Sequence, residues 1–196
     1  MLRLIVPCTA RLASILILVA IITPAWHVFR YDDYKLLREE GLIYDCFYGN
    51  TTEDVANESW PQSIEGCYLR HLFDIQSWFP FINQNSIEAD LHVLLLLILS
   101  EVCSLAVAWK NKTNSKTRKD HVLLSFAFVA VLSSTSATVL FLHYARKAVT
   151  TSSPLIGVHQ SIGYSFWVLV FANFVHWTML LTLLTYVIRG RDTSCE

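Results

Sequence analysis

The chain is short of charge and short of the residues that build reactive loops. Only 16% of its 196 residues are Asp, Glu, Lys or Arg, against roughly a quarter in ordinary soluble proteins. The formal net charge of −1 carries no information about partners until it is divided by region, and it gives no ground for a nucleic-acid partner. Glycine occurs six times, nowhere as a phosphate-cradling loop, and neither a His-Glu-x-x-His helix nor a nucleophile elbow is present. The seven histidines are scattered, with no pair at i, i+4 to grip a metal. No enzyme activity, cofactor or metal is expected.

What the chain has instead is apolar length. Hydrophobic residues make up 54% and mean hydropathy is +0.42, ordinary values for a small membrane protein. Four runs reach the roughly 20 apolar residues that a bilayer requires: Leu4 to Phe29, Leu91 to Trp109, Val122 to Tyr144 and Tyr164 to Ile188. Tryptophan and tyrosine gather near the run ends, as in an interfacial belt. One domain, 1–196, is expected, with spans at about 4–29, 88–109, 121–144 and 164–188. The outer loops are 30–87 and 145–163, the cytosolic loop 110–120 and the cytosolic tail 189–196. A cleaved signal peptide is the rival reading of the first run, with Thr23-Pro24-Ala25 as cleavage site, but the run exceeds the usual apolar core of such a leader.

Basic residues set the orientation. Arg3 and Arg11 precede the first run, Lys110, Lys112, Lys116, Arg118 and Lys119 crowd the loop after the second, and Arg189 and Arg191 follow the fourth. Four alternating spans place all three clusters on one side, so both termini are expected in the cytosol of a multi-pass plasma-membrane protein. Acidic residues outnumber basic ones in 30–87, where Asn50-Thr51-Thr52 and Asn57-Glu58-Ser59 are glycosylation sequons. A third sequon at Asn111 falls in the basic loop and should stay unmodified.

The first outer loop contains strand-like pieces: Trp26 to Tyr31, Leu42 to Tyr48, and Cys67 to Leu69. Cys46 and Cys67 are the cysteines of the outer loops, and a disulfide between them is the natural assignment outside the cytosol, against the alternative of two free thiols. Glu101 is an acid deep in an apolar run, so it marks an intramembrane polar site, either a packing group or one that handles ions. It would be neutral or satisfied by polar groups of the third span, where Ser133 to Thr138 allow close helix approach, with Asn173 and Thr178 of the fourth as candidate partners; His143 and His176, in or near spans, read as interhelical hydrogen-bonding groups and not as metal ligands. Asp32, Asp33 and Asp45 read either as solvated surface or as cation-attracting residues. Arg146 and Lys147 open the second outer loop, either as a helix-end cap or as partners of the acidic first loop.

Four spans, a long first outer loop, a short second one and the pattern Trp26…Gly41-Leu42-x-x-x-Cys46…Cys67 resemble the claudin superfamily, which includes peripheral myelin protein and the gamma-type channel and receptor subunits. Thr23 to Trp26 and Gly163-Tyr164-Ser165-Phe166-Trp167 are similar too, the latter to the nematode claudin-like branch and the gamma-type subunits. Ile43 stands where the family has the Trp of Gly-Leu-Trp, and the cysteines are farther apart than usual, which marks a divergent member. The resemblance implies an all-α transmembrane four-helix bundle with a small extracellular antiparallel β-sheet. It also implies adhesion or junction organisation, or alternatively service as an auxiliary subunit of an ion channel or receptor. The implied partners are the lipid bilayer and membrane proteins in cis and in trans: copies of itself, other claudin-like proteins, or a channel or receptor. Glu196 is not the apolar terminal residue that PDZ pockets accept, which shifts weight away from a scaffolded strand former.

Overall fold

The computed structural model describes residues 2–31, 36–49, 66–69, 85–110, 118–151 and 158–192. Four helices, α1 Leu2–Ile22, α2 Asn85–Lys110, α3 Arg118–Thr151 and α4 Tyr164–Asp192, accompany five strands. The strands are β1 His27–Tyr31, β2 Leu36–Glu40, β3 Tyr44–Tyr48, β4 Gly66–Leu69 and β5 Val158–Ile162. Each helix carries a stretch long and apolar enough to cross a membrane: Ile5–Ile22, Asp90–Trp109, His121–Ala145 and Tyr164–Ile188. Four such helices make this a multi-pass membrane protein by length and composition.

The first apolar run continues to Phe29, but α1 stops at Ile22 and β1 begins at His27. Pro24 accounts for the break, because its ring disfavours helical dihedrals at Thr23 and removes an amide donor. Hydropathy cannot see this boundary, since a buried strand is as apolar as a span. At the other end of the chain α3 runs on to Thr151, so the backbone of Arg146 and Lys147 belongs to the helix and not to a loop. Likewise α4 extends to Asp192, four residues past its apolar stretch.

The chain divides into two compact units. One comprises 1–19, 93–139 and 168–196, all helical where described. Its core joins Val6 and Ala10 of α1, Val107 of α2, Leu123, Ala127 and Val131 of α3, and Met179, Leu180 and Leu183 of α4. Small residues dominate the other buried positions, including Ala13, Ser100, Ser104, Ala130, Ser134, Ala137 and Ala172. Large apolar side chains such as Ile15, Leu95, Val102, Phe128 and Phe174 point outward. Water would select the reverse. An apolar solvent gives no drive to hide leucine, so close packing of small residues holds the helices together.

The second unit, 20–92 and 140–167, contains the sheet. Its five strands are antiparallel in the order β4-β3-β2-β1-β5. The sequence points to β1, β3 and β4 but not to β2 or β5. Leu36–Glu40 ends in three charged residues and Val158–Ile162 has a weak apolar pattern, so each becomes a strand through its neighbours. Register fixes the two faces. His27, Phe29, Arg38, Glu40, Asp45 and Phe47 share one face, on which His27 meets Phe141 of α3 at 4.6 Å between ring centroids. Val28, Arg30, Leu37, Glu39, Tyr44, Cys46 and Tyr48 share the other.

Candidate functional site

The sheet is the candidate site, and Trp26 anchors its entry. This residue is 1% exposed, and its indole N–H donates to the Ala20 carbonyl at 2.7 Å. Its ring meets Phe141 edge-on at 4.9 Å, and Phe141 stacks on Phe166 at 5.3 Å. The backbone around it is tied on two sides: Trp26 N–H donates to Glu40 O, and Gly163 N–H donates to Trp26 O. Leu42 is buried close by in sequence, in the turn that follows Gly41.

Two glycines stand where nothing larger fits. A Cβ on Gly41 would lie 2.6 Å from the Tyr44 carbonyl oxygen and 2.8 Å from Pro24 Cα. A Cβ on Gly163 would collide with the Ala25 carbonyl group. Both contacts are with backbone, which cannot rotate away. The sequence singles out Gly41. It offers for Gly163 only its place before an aromatic helix start.

Cys46 and Cys67 are bonded to each other and face each other directly across β3 and β4, with 4.0 Å between Cα atoms. The bridge therefore pins the edge strand to the sheet. Cys8 and Cys103 are free.

Asp45, read from the sequence as either solvated surface or a cation-attracting residue, is fully buried, which fits neither reading. Register places it on the covered face, where it accepts from Arg38 Nη2 at 2.8 Å; the same nitrogen reaches Glu40 Oε1 at 3.1 Å. Phe29 and Phe47 lie near the guanidinium, at 5.7 and 5.6 Å from ring centroid to Cζ. All three charged groups are more than nine-tenths buried, which is tolerable only as a paired set. No sequence signal separates Asp45 from the acids around it, because its burial follows from strand register. Arg38 and Glu40 are absent from the sequence-derived candidates for the same reason: their strand looks like a charged loop. Asp32, Asp33, Asn50 and Asn57 lie outside the described residues, as does Asn111.

The open face is of another kind. Tyr44, Tyr48 and Leu69 are 36%, 44% and 37% exposed, and Arg30 is exposed beside them. The Tyr48 phenol is pushed above the usual tyrosine range, first by burial and then by the Glu39 carboxylate, which also hydrogen-bonds to it.

In the helical unit, Glu101 is buried and accepts a hydrogen bond from the Ser14 hydroxyl of α1 at Oε1. Its partner comes from the first span and not from the serine-rich third. Its Oε2 has no partner among the described residues. Of the third-span serines, Ser134 meets His176 of α4 at 3.2 Å, a ring that also meets Ser104 of α2 at 2.7 Å, and Ser133 bonds carbonyls of its own helix. Asn173 donates to Thr138 at 2.5 Å, whereas Thr178 bonds only its own helix at Phe174 O. Among the described residues no cluster of three or more His, Cys, Asp or Glu could hold a metal ion.

Set against known proteins, the chain matches no protein-family model and no curated protein.

Proposed function

We propose that this protein is a divergent claudin-like four-span protein of the plasma membrane that acts in cell–cell adhesion or junction organisation through its sheet. The observation that carries this reading is the disulfide-pinned sheet itself, in which β5, from the segment between the third and fourth helices, pairs with β1, from the segment after the first. Two stretches that the basic-residue pattern assigns to the same side of the membrane thus build one surface. Exposed Tyr44, Tyr48 and Leu69 give that surface aromatic and apolar contact area, the kind that protein partners use. The order Trp26, Gly41-Leu42, Cys46, Cys67 gives these positions the structural roles that the claudin resemblance implies.

In this reading both termini are cytosolic, residues 30–87 and 145–163 are extracellular, and Asn50 and Asn57 carry glycans. Expression in cells without junctions tests the function: enrichment at cell contacts supports adhesion, and uniform surface staining in confluent cells overturns it. For topology, glycosidase treatment should lower the apparent mass of the wild type but not of the Asn50→Gln/Asn57→Gln double variant. A glycan on Asn111 would invert the orientation.

A second reading, an auxiliary subunit of a channel or receptor, is favoured by α4. Tyr164, Trp167, Phe171, Phe174 and Trp177 recur at three- and four-residue steps and are all about half exposed or more. The exposed faces of α1 and α2 are mainly aliphatic by contrast. Rigid rings along one face suit lateral packing against a partner's transmembrane helix. Crosslinking that recovers a channel or receptor with the diffuse protein would support this reading.

A further inference from the structure

Each of the four apolar stretches carries a buried polar group at its middle. Ser14 of α1, Glu101 of α2, Ser134 of α3 and His176 of α4 lie within a turn of the midpoints of Ile5–Ile22, Asp90–Trp109, His121–Ala145 and Tyr164–Ile188. All four belong to the same compact unit. The middle of a bilayer is its driest level, so a titratable side chain there is costly and marks an ion or proton route. Two of the four, Glu101 and His176, titrate.

Their contacts join the four helices. Ser14 donates to Glu101 Oε1, and Oε2 has no partner among the described residues. No cation among those residues pairs with this carboxyl; both ion pairs found there belong to Arg38, and Arg11, one turn before Ser14, is exposed. A buried carboxylate without a cation is answered by a proton, and Oε2 is the oxygen left to hold it. Ser104 lies three residues along α2 from Glu101, on the same side of the helix. Its hydroxyl meets His176 Nε2 at 2.7 Å, and Ser134 meets Nδ1 at 3.2 Å. An imidazole with a hydroxyl on each nitrogen can take a proton at one and release another from the second. Farther along α3, Thr138 donates to the Ser134 carbonyl and accepts from Asn173, which continues the polar line by one turn. The other buried titratable group described in this unit is Cys103 of α2.

We propose that the helical unit conducts protons, with Glu101 as the intramembrane proton-binding site and His176 as the relay. A proton from Glu101 Oε2 moves along α2 to Ser104 as the Ser104 hydroxyl passes its own to Nε2, and the proton on Nδ1 passes to Ser134. Only O–H and N–H bonds form and break, and no electron moves. A metal cation would need more oxygen ligands than Glu101 and Ser14 supply. The inference uses the helices and not the sheet, so it stands apart from the adhesion reading.

Full-length protein reconstituted into liposomes with a pH-sensitive dye inside, and with the potential clamped by potassium and valinomycin, provides the test. Wild-type vesicles should dissipate a pH step about tenfold faster than protein-free vesicles, and Glu101→Gln and His176→Gln should each remove that excess. Both glutamines can still bond the neighbouring hydroxyls, so the midpoint of thermal unfolding in detergent should stay near the wild-type value. Glu101→Asp, which restores an acid, should recover part of the flux, a result that packing alone would not give. Dicyclohexylcarbodiimide gives a measurement on the unaltered chain: it adds to a protonated carboxyl, and flux should stop as Glu101 becomes labelled. Wild-type vesicles no faster than protein-free ones overturn the proposal. So does a Glu101→Gln protein that conducts like the wild type, or flux that persists with Glu101 fully labelled. Enrichment at cell contacts is a separate readout, and none of these results bears on it.

Discussion

The two compact units hold polar groups in their interiors by different means. In the sheet unit the buried polar groups include full charges: Arg38 serves Glu40 and Asp45, beside a covalent bridge on the neighbouring strands. In the helical unit the partners are mostly hydroxyls, an amide and an imidazole, as in Ser104–His176–Ser134 and Asn173–Thr138. Glu101 is its one buried acid among the described residues, and a serine answers it, not a cation. The difference follows from the surroundings that each unit must satisfy. Strands placed side by side can bring a guanidinium within reach of two carboxylates. Helices bound for an apolar solvent gain from small side chains, and the hydroxyls of serine and threonine serve both packing and hydrogen bonding.

That contrast predicts a ranking of mutational effects. The largest belongs to Arg38→Ala, which leaves two carboxylates buried without their cation and should cost about 3–5 kcal/mol. In cells this should appear as loss of surface protein, and in detergent as a marked fall in midpoint on thermal unfolding. Replacing both Cys46 and Cys67 by Ala should come next, at roughly 3 kcal/mol, because the bridge closes a loop with a sequence separation of 21 residues. Denaturant unfolding of oxidised wild type against the double variant would measure it, and a null result would mean that the β3–β4 edge needs no pin.

Gly163→Ala probes the junction between β5 and Trp26. The added methyl would meet the Ala25 carbonyl group, so the backbone must shift at a cost of about 1–3 kcal/mol. Hydrogen exchange should then rise selectively at the amides of 163 and 165, which donate to Trp26 O and Ala25 O in the wild type. In the helical unit, Asn173→Ala should cost less, of order 0.6–2 kcal/mol, because interhelical hydrogen bonds in membranes are individually modest. Thr178→Val, which removes only a bond to its own helix on an exposed face, should fall within experimental error in the same unfolding assay. If Asn173→Ala proved as damaging as Arg38→Ala, the contrast between the units would collapse.

The smallest effect concerns pH. The folded Tyr48 pKa is raised above its unfolded value near 10. Its contribution to stability is therefore fully present below that unfolded value and is lost as pH rises through the folded one. Glu39→Gln should move the phenol only part of the way back, since burial is the larger cause, and absorbance titration in the alkaline range would follow it.

Some elements were legible because they depend on local pattern alone. The four helices announce themselves by apolar length, and β3 by aromatic and apolar residues between Gly41 and Gly49. Cys46 and Cys67 could be paired by compartment reasoning, without knowledge that they face each other across two strands. Where α1 ends was less accessible, because Trp26 to Phe29 are as apolar as the span before them and only Pro24 hints at the break. The strand β2 was hidden by its own charges, and β5 by its position in a short connection. Asp45 is the clearest case: its neighbours in sequence give it an acidic surface look, and its neighbours in space make it the inner partner of Arg38.

By itself the sequence determined how many helices are long and apolar enough to cross a membrane and which cysteines could meet, because hydropathy and residue type act along the chain. The division between a covered and an open face of the sheet was decided only by tertiary structure. Strand register alternates side chains with a period of two, so a one-residue shift would exchange Asp45 for Tyr44 and Arg38 for Glu39. Which charges are buried partners and which remain available to another molecule is a property of that register.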